Sequence, residues 1–163
     1  MGKKLISVVA CLTLIGAFYC GGKKEEPKPA ERAADSPQDV ANNMNNQLSN
    51  HMLIGFPAWG GRVSSAELDA WAQQSKPVVE EIVKTMPEGY HLMIAGHASS
   101  GGPAARNQTV SKARAKFVWE ALSNAGMDMS KVQFKGYGSS FPLNAGDPGH
   151  ESNRRVSFVV EPN

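Results

Sequence analysis

The sequence predicts an α+β domain in the order β-α-β-α-β-β, with two helices packed on one face of a small mixed sheet. Three observations carry that prediction. Apolar residues recur at helical spacing over residues 65–86 and 109–125. Short apolar or alternating runs at 90–95, 132–134 and 155–161 read as strands. Gly, Pro and Asn punctuate what lies between. The roughly 120 residues involved suffice for one core.

The N-terminal end is read separately. Lys3 and Lys4 give a short basic start, and residues 5–19 are uncharged, mostly apolar and too short for a comfortable membrane span. Residues 1–19 therefore read as an export signal. It ends at Ala17-Phe18-Tyr19-Cys20, which has the layout of a lipobox with Cys20 as the lipidated first residue of the mature protein. An ordinary signal peptide or an uncleaved anchor is the alternative. Cys11 would leave an apolar run too short to serve. If Cys11 leaves with the signal and Cys20 carries lipid, no cysteine remains for a disulfide. Losing Lys3 and Lys4 from the 17 basic residues would leave as many as the 15 acidic ones. That balance argues against a nucleic-acid partner, because phosphate contacts need surplus Lys and Arg. Residues 20–37 read as lipidated Cys20 and a disordered tether, charged, rich in Pro and Ala, and without aromatic residues.

Residues 38–57 read as an amphipathic helix and a lead-in, and residues 58–163 as the main domain. Ser36-Pro37 looks like a helix cap with Pro at the first helical position, and Val40, Met44 and Leu48 keep a four-residue spacing. The face bearing Asn42, Asn43, Asn45 and Asn46 is expected to be solvated. Residues 51–63 suggest an irregular first strand, favoured by Met52-Leu53-Ile54 and Phe56 and interrupted by Gly55, Pro57, Gly60 and Gly61. Ser64 or Ser65 then caps a helix burying Trp71, Val78, Val79, Ile82, Val83 and Met86. Pro77 lacks a backbone donor and predicts a kink or restart near Ser75. A strand over 90–95 leads into a loop over 96–108, and Gly126 closes the next helix. A strand at 132–134, a polar loop over 136–153 and a final strand complete the chain.

The helix over 109–125 holds an anomaly. Val110, Ala113, Phe117, Val118, Ala121 and Ala125 form its apolar stripe, and Arg114 lies inside it. A guanidinium does not neutralise itself by losing a proton, so an arginine there needs an anionic or carbonyl partner.

Catalytic patterns are weak. Ser99 and Ser100 lie near His97, but no Gly-x-Ser-x-Gly elbow is present. His91 and His97 have no Cys, Asp or Glu at ligand spacing, and His51 and His150 are scattered, so all four read as surface or loop residues. Gly136-Tyr137-Gly138 lacks the Lys of a phosphate loop. The expectation is no enzyme, no metal and no cofactor.

Gly96-His97-Ala98 after a strand, Asn107, Val110-Ser111, Arg114-Ala115 and Val118, Gly136-Tyr137-Gly138, Pro142, Asn144 and Asn153-Arg154-Arg155-Val156 form an ordered set. Together they resemble the OmpA-like peptidoglycan-binding domain over roughly residues 60–161, and imply its sandwich fold. The segment 71–96 and the lipobox resemble OmpA-family outer-membrane lipoproteins of Leptospira-type spirochaetes. The resemblance implies a site built by the loop after the second strand, the next helix and the last-strand motif. In the family, a loop Asp binds the ammonium group of diaminopimelate, and the arginine matching Arg114 binds a carboxylate of the same residue. Ala98 and Ser99 would belong to that loop, Asn107 would order it, and Arg154 would border the pocket. The chain departs from the family at Ser99, which stands where the Asp belongs; no carboxylate occurs between Glu88 and Glu120.

The implied function is a non-catalytic lipoprotein anchored in the outer membrane that binds peptidoglycan stem peptide, weakened by the missing Asp. A second reading is a surface-exposed lipoprotein that meets host or protein partners with a lapsed wall site. A flagellar stator role is excluded, because residues 5–19 hold no acidic residue to carry a proton.

Overall fold

The computed structural model describes residues 35–163. The expected signal segment, the lipidation of Cys20 and the tether up to residue 34 lie outside the described residues.

Two reciprocal caps start the first two helices. The Ser36 hydroxyl accepts the Asp39 N–H at 3.2 Å while the Asp39 carboxylate accepts the Ser36 N–H, and Pro37 fixes the first turn of α1 (Pro37–Leu48). Ser64 and Glu67 repeat the arrangement before α2 (Ser65–Thr85). That helix runs unbroken through Pro77, without the expected restart. One missing hydrogen bond is tolerated because Trp71, Ser75, Val79, Ile82 and Val83 hold the helix on the core from both sides of the proline.

Strand β1 (Tyr90–Gly96) is central, parallel to β2 (Val132–Gly136) on one side and antiparallel to β3 (Val156–Pro162) on the other. The expected first strand is reduced to a single bridge on the outer edge of β3. There Leu53 N–H donates to the Val156 carbonyl at 2.9 Å, and Val156 N–H returns to Leu53 at 2.8 Å. Gly55, at φ +92°, and Pro57 end the pairing.

One face of this sheet is the core. Leu92, Ile94, Val132, Val156, Phe158 and Val160 pack against α1 and α2 and against the later helix α3 (Ala104–Asn124), with Trp71 stacked on Phe158 at 5.7 Å between ring centroids. Asn45 departs from the solvated role expected for its face. Its amide reads the backbone of β3, accepting the Val160 N–H at 2.7 Å and donating to the Val160 carbonyl at 3.0 Å. The side chain supplies the pairing that an edge strand lacks.

Helix α3 begins before residue 109, so the loop expected to run to 108 stops at Pro103. Its buried face is also displaced from the predicted stripe: Asn107, Ser111, Arg114, Ala115, Val118 and Leu122 are buried, whereas Ala113 and Ala125 are exposed. The cause is close approach to the sheet. Gly96 and Gly136 are register partners at the ends of β1 and β2. A Cβ on Gly96 would collide with the Ser111 carbonyl oxygen, and one on Gly136 would meet the Ser111 hydroxyl at 2.7 Å. Helix and sheet touch backbone to backbone here, which leaves room only for a small side chain at Ser111. Larger apolar residues follow in the second half of α3. The helix closes as predicted, with Gly126 at φ +80° and Met127 N–H donating to the Leu122 carbonyl at 3.1 Å.

This contact generates a paired prediction. Gly136→Ala should lower unfolding free energy by about 1–3 kcal/mol through overpacking. Gly101→Ala, which meets nothing within 4 Å, should stay within about 0.5 kcal/mol of the parent. Denaturant titration followed by circular dichroism reads both; equal stability of the two variants would contradict the contact.

Candidate functional site

Arg114 is wholly buried, and its partners are carbonyl oxygens. Nε donates to Gly60 at 2.9 Å, Nη1 to His97 at 2.7 Å, and Nη2 to Pro57 at 2.6 Å and Ala58 at 3.3 Å. The guanidinium also lies 5.3 Å from the centre of the Phe56 ring. Among the described residues it has no carboxylate partner. Burial, and next the neighbouring Arg154 charge, push its pKa down to about 10, so it stays charged at neutral pH. Partial negative charge on four carbonyl oxygens stands in for a counter-ion.

These hydrogen bonds tie three parts of the chain together: α3, the exit of β1, and the strap formed by residues 56–61. Gly61 lets the strap run close over α3, since a Cβ there would come within 2.8 Å of the Ala113 Cβ. Trp59 projects from the strap onto the loop after β1. Its ring lies 4.3 Å from the Arg106 guanidinium carbon and against Gly102, whose lack of a Cβ leaves the space the ring occupies. Arg154 holds the same strap from the other side, Nε donating to the Phe56 carbonyl at 2.8 Å.

The loop carrying Ala98 and Ser99 is pinned along its length. His97 N–H donates to the Arg155 carbonyl at 2.9 Å, Ala98 N–H to Gly138 at 2.7 Å, and Ser100 N–H to Pro148 at 2.8 Å. Ala98 is buried and Ser99 is half-buried at the surface. Asn107 sits in the first turn of α3, not in the loop, and its N–H donates to the Pro103 carbonyl at 3.0 Å. The residue that organises a loop by its side chain is Asn153. Its amide donates to Asp147 at 3.0 Å and Pro148 at 3.1 Å, and accepts the Asn144 N–H at 2.8 Å. Through Pro148 the last-strand motif therefore supports Ser100. Arg154 is partly exposed beside Glu151 at 3.4 Å, and lines a groove of about 620 Å³ between the strap and α2.

The structure thus gathers Arg114, Ala98, Ser99 and the strap at one end of the sheet, with Arg154 on the strap's other flank. The strap is not legible in the sequence: Gly60 and Gly61 mark a turn that the structure has, Gly60 N–H donating to the Pro57 carbonyl at 3.2 Å, but nothing marks the carbonyls of Pro57, Ala58 and Gly60 as partners of a distant arginine. The sequence reading misplaced two histidines. His91 and His97 are buried on the outer face of β1 and at its exit, because neighbouring strand side chains cover them. His97 Nε2 faces the Ser157 hydroxyl at 3.0 Å, and its ring stacks on Tyr137 at 5.8 Å.

Comparison with known proteins bears on the fold. The profile of the OmpA family matches residues 62–155. Outer membrane porin F of Pseudomonas aeruginosa is 31% identical over 166 residues, covering 88% of this chain and 47% of the porin. Outer membrane porin F of Pseudomonas fluorescens is 43% identical over 73 residues, 44% of this chain and 22% of the porin. The chain therefore spans half or less of the length of these relatives. Among solved structures, the peptidoglycan-associated lipoprotein of Burkholderia pseudomallei superposes with a TM-score of 0.56 at 24% identity, covering 76% of this chain and all of that one. The C-terminal domain of Helicobacter pylori MotB gives 0.55 at 17% identity, covering 69% and 84%. Both superpositions show the same fold.

Burial, and then the Arg155 charge, push the His97 pKa down from its ordinary 6.5 to about 3. The unfolded chain takes up this proton near pH 6.5 and the folded chain does not, so the stabilising contribution is full above pH 6.5 and is lost as pH falls toward 3. Between pH 6 and 5 the slope from this group should approach about 1.4 kcal/mol per pH unit. His97→Gln should remove that part of the slope in denaturant titrations across this window. An unchanged slope would contradict the buried neutral imidazole.

Proposed function

This chain belongs to the OmpA family, and on that premise we propose that it is a non-catalytic cell-envelope protein that binds peptidoglycan stem peptide through diaminopimelate. The observation that carries the reading is the role of Arg114, which locks the loop bearing Ala98 and Ser99 against the strap. Arg114 fixes the shape of the site from within: it is wholly buried, and the loop and strap it holds present the surface that meets the ligand. Arg154 is the partly exposed guanidinium near it; its Nη2 faces exposed Glu151 at 3.4 Å, and a ligand carboxylate would take the place of that partner. Asn107 supports the start of α3 beneath the loop. At the ammonium end, Ser99 offers a hydroxyl in place of a charge. A charged hydrogen bond contributes about 1.5–3 kcal/mol, so its loss weakens binding roughly ten- to a hundredfold.

In this reading Cys20 carries the lipid that anchors the protein in the outer membrane, with the residues between Cys20 and the Ser36 cap of α1 spanning the distance to the wall. The similarity to outer-membrane porins and to a peptidoglycan-associated lipoprotein supports an envelope location. The match of the lipobox to spirochaetal lipoproteins rests on the sequence alone.

Co-sedimentation of the full-length protein with diaminopimelate-containing peptidoglycan tests the proposal. The parent should be retained weakly, Ser99→Asp should bind about tenfold tighter or more, and Arg154→Gln should bind less. Retention of the parent no greater than in a wall-free control, with no gain in Ser99→Asp, would overturn it.

A further inference from the structure

The domain buries a second arginine, and this one is not satisfied. Arg155 is 7% exposed and lies just before β3, on the sheet face opposite Val156 and the core. Nη2 donates to the Phe141 carbonyl at 3.1 Å, while Nε and Nη1 are buried with no partner among the described residues. Arg114 shows how this molecule compensates a buried guanidinium, with four carbonyl contacts. Arg155 has one. Leaving charged N–H groups buried and unmet is costly unless something else accepts them.

The guanidinium borders a cavity of about 300 Å³ that is walled by His97, Tyr137, Phe141, Ser157 and Val159. The Tyr137 and Phe141 rings meet edge to face at 5.5 Å, and Phe141 is more than half exposed at the rim. His97 Nδ1 is likewise buried without a partner. Lys135 lies 5.2 Å from the centre of the Tyr137 ring, and Glu161, the carboxylate on β3, lies 3.3 Å from His91 Nε2. The cavity therefore combines one uncompensated buried positive charge with aromatic walls. We propose that it binds a small organic monocarboxylate with an apolar body, the carboxylate accepting the free N–H groups of Arg155 and the body resting against Tyr137 and Phe141. One negative charge matches one buried guanidinium, whereas a phosphate dianion would carry an excess. The volume suits an acid the size of benzoate or a single capped amino acid. The cavity lies on the opposite face of the sheet from the α3 helix that carries Arg114, and the proposal does not depend on wall binding.

The test titrates the full-length protein with benzoate, with N-acetylalanine and with uncharged benzamide, following backbone and arginine Nε–H resonances. Benzoate and N-acetylalanine should saturate, shifting Arg155 Nε–H and the amides of Tyr137 and Ser157, and benzamide should bind about tenfold more weakly or worse. Phe141→Ala, at the exposed rim, should weaken benzoate about threefold or more while leaving the remaining spectrum and peptidoglycan retention unchanged. Arg155→Gln should abolish the benzoate response. Equal binding of benzoate and benzamide, shifts centred elsewhere, or no saturation at millimolar concentration would overturn the proposal.

Discussion

The hydrogen bonding of Arg114 is the constraint on which the rest of this end of the molecule depends. A charge buried in a small domain must be met, and here it is met by backbone carbonyls of Pro57, Ala58, Gly60 and His97. Those carbonyls come from segments far apart in sequence, so meeting the charge and fixing the loops are one event. The planar fork of the guanidinium suits the task, since its donors diverge toward several acceptors at once. A lysine would bring one compact charge and could not reach the same set.

Two features let the arginine reach its partners. The glycines at the ends of β1 and β2 bring α3 down onto the sheet, which sets Arg114 level with the His97 carbonyl. Gly61 then allows the strap to cross Ala113 closely enough for its carbonyls to face the guanidinium. Asn153 and Arg154 complete the enclosure by holding the last loop and the far side of the strap. Arg155 faces the other way. Adjacent residues of one motif therefore serve opposite faces of the sheet, one clamping the strap and the other lining a separate cavity.

Much of this was legible in the sequence where local chemistry decides structure. Ser36-Pro37 with Asp39, Ser64 with Glu67, and Gly126 each announce a helix end through their own side chains or backbone freedom. The alternation of Val156, Phe158 and Val160 gave the final strand, and the ordered motif set pointed to the family that the comparison shows. What stayed hidden depends on tertiary contact. Pro103 caps α3 without a side-chain signal, so its start was placed too late. Its buried face follows the backbone approach at Gly96 and Gly136, which periodicity does not record. Asn45 looked solvated because its partner, Val160, is distant in sequence. Arg114 was recognised as needing a partner, but carbonyl oxygens carry no mark in a sequence.

The most direct test of this account is hydrogen exchange at the Arg114 side chain itself. In the free protein, with Nε–H bound to the Gly60 carbonyl at 2.9 Å and no solvent exposure, that proton should exchange orders of magnitude more slowly than the Nε–H of exposed Arg62. Exchange at Arg114 as fast as at Arg62 would show that the strap does not close over the guanidinium, and would remove the constraint on which the site is built.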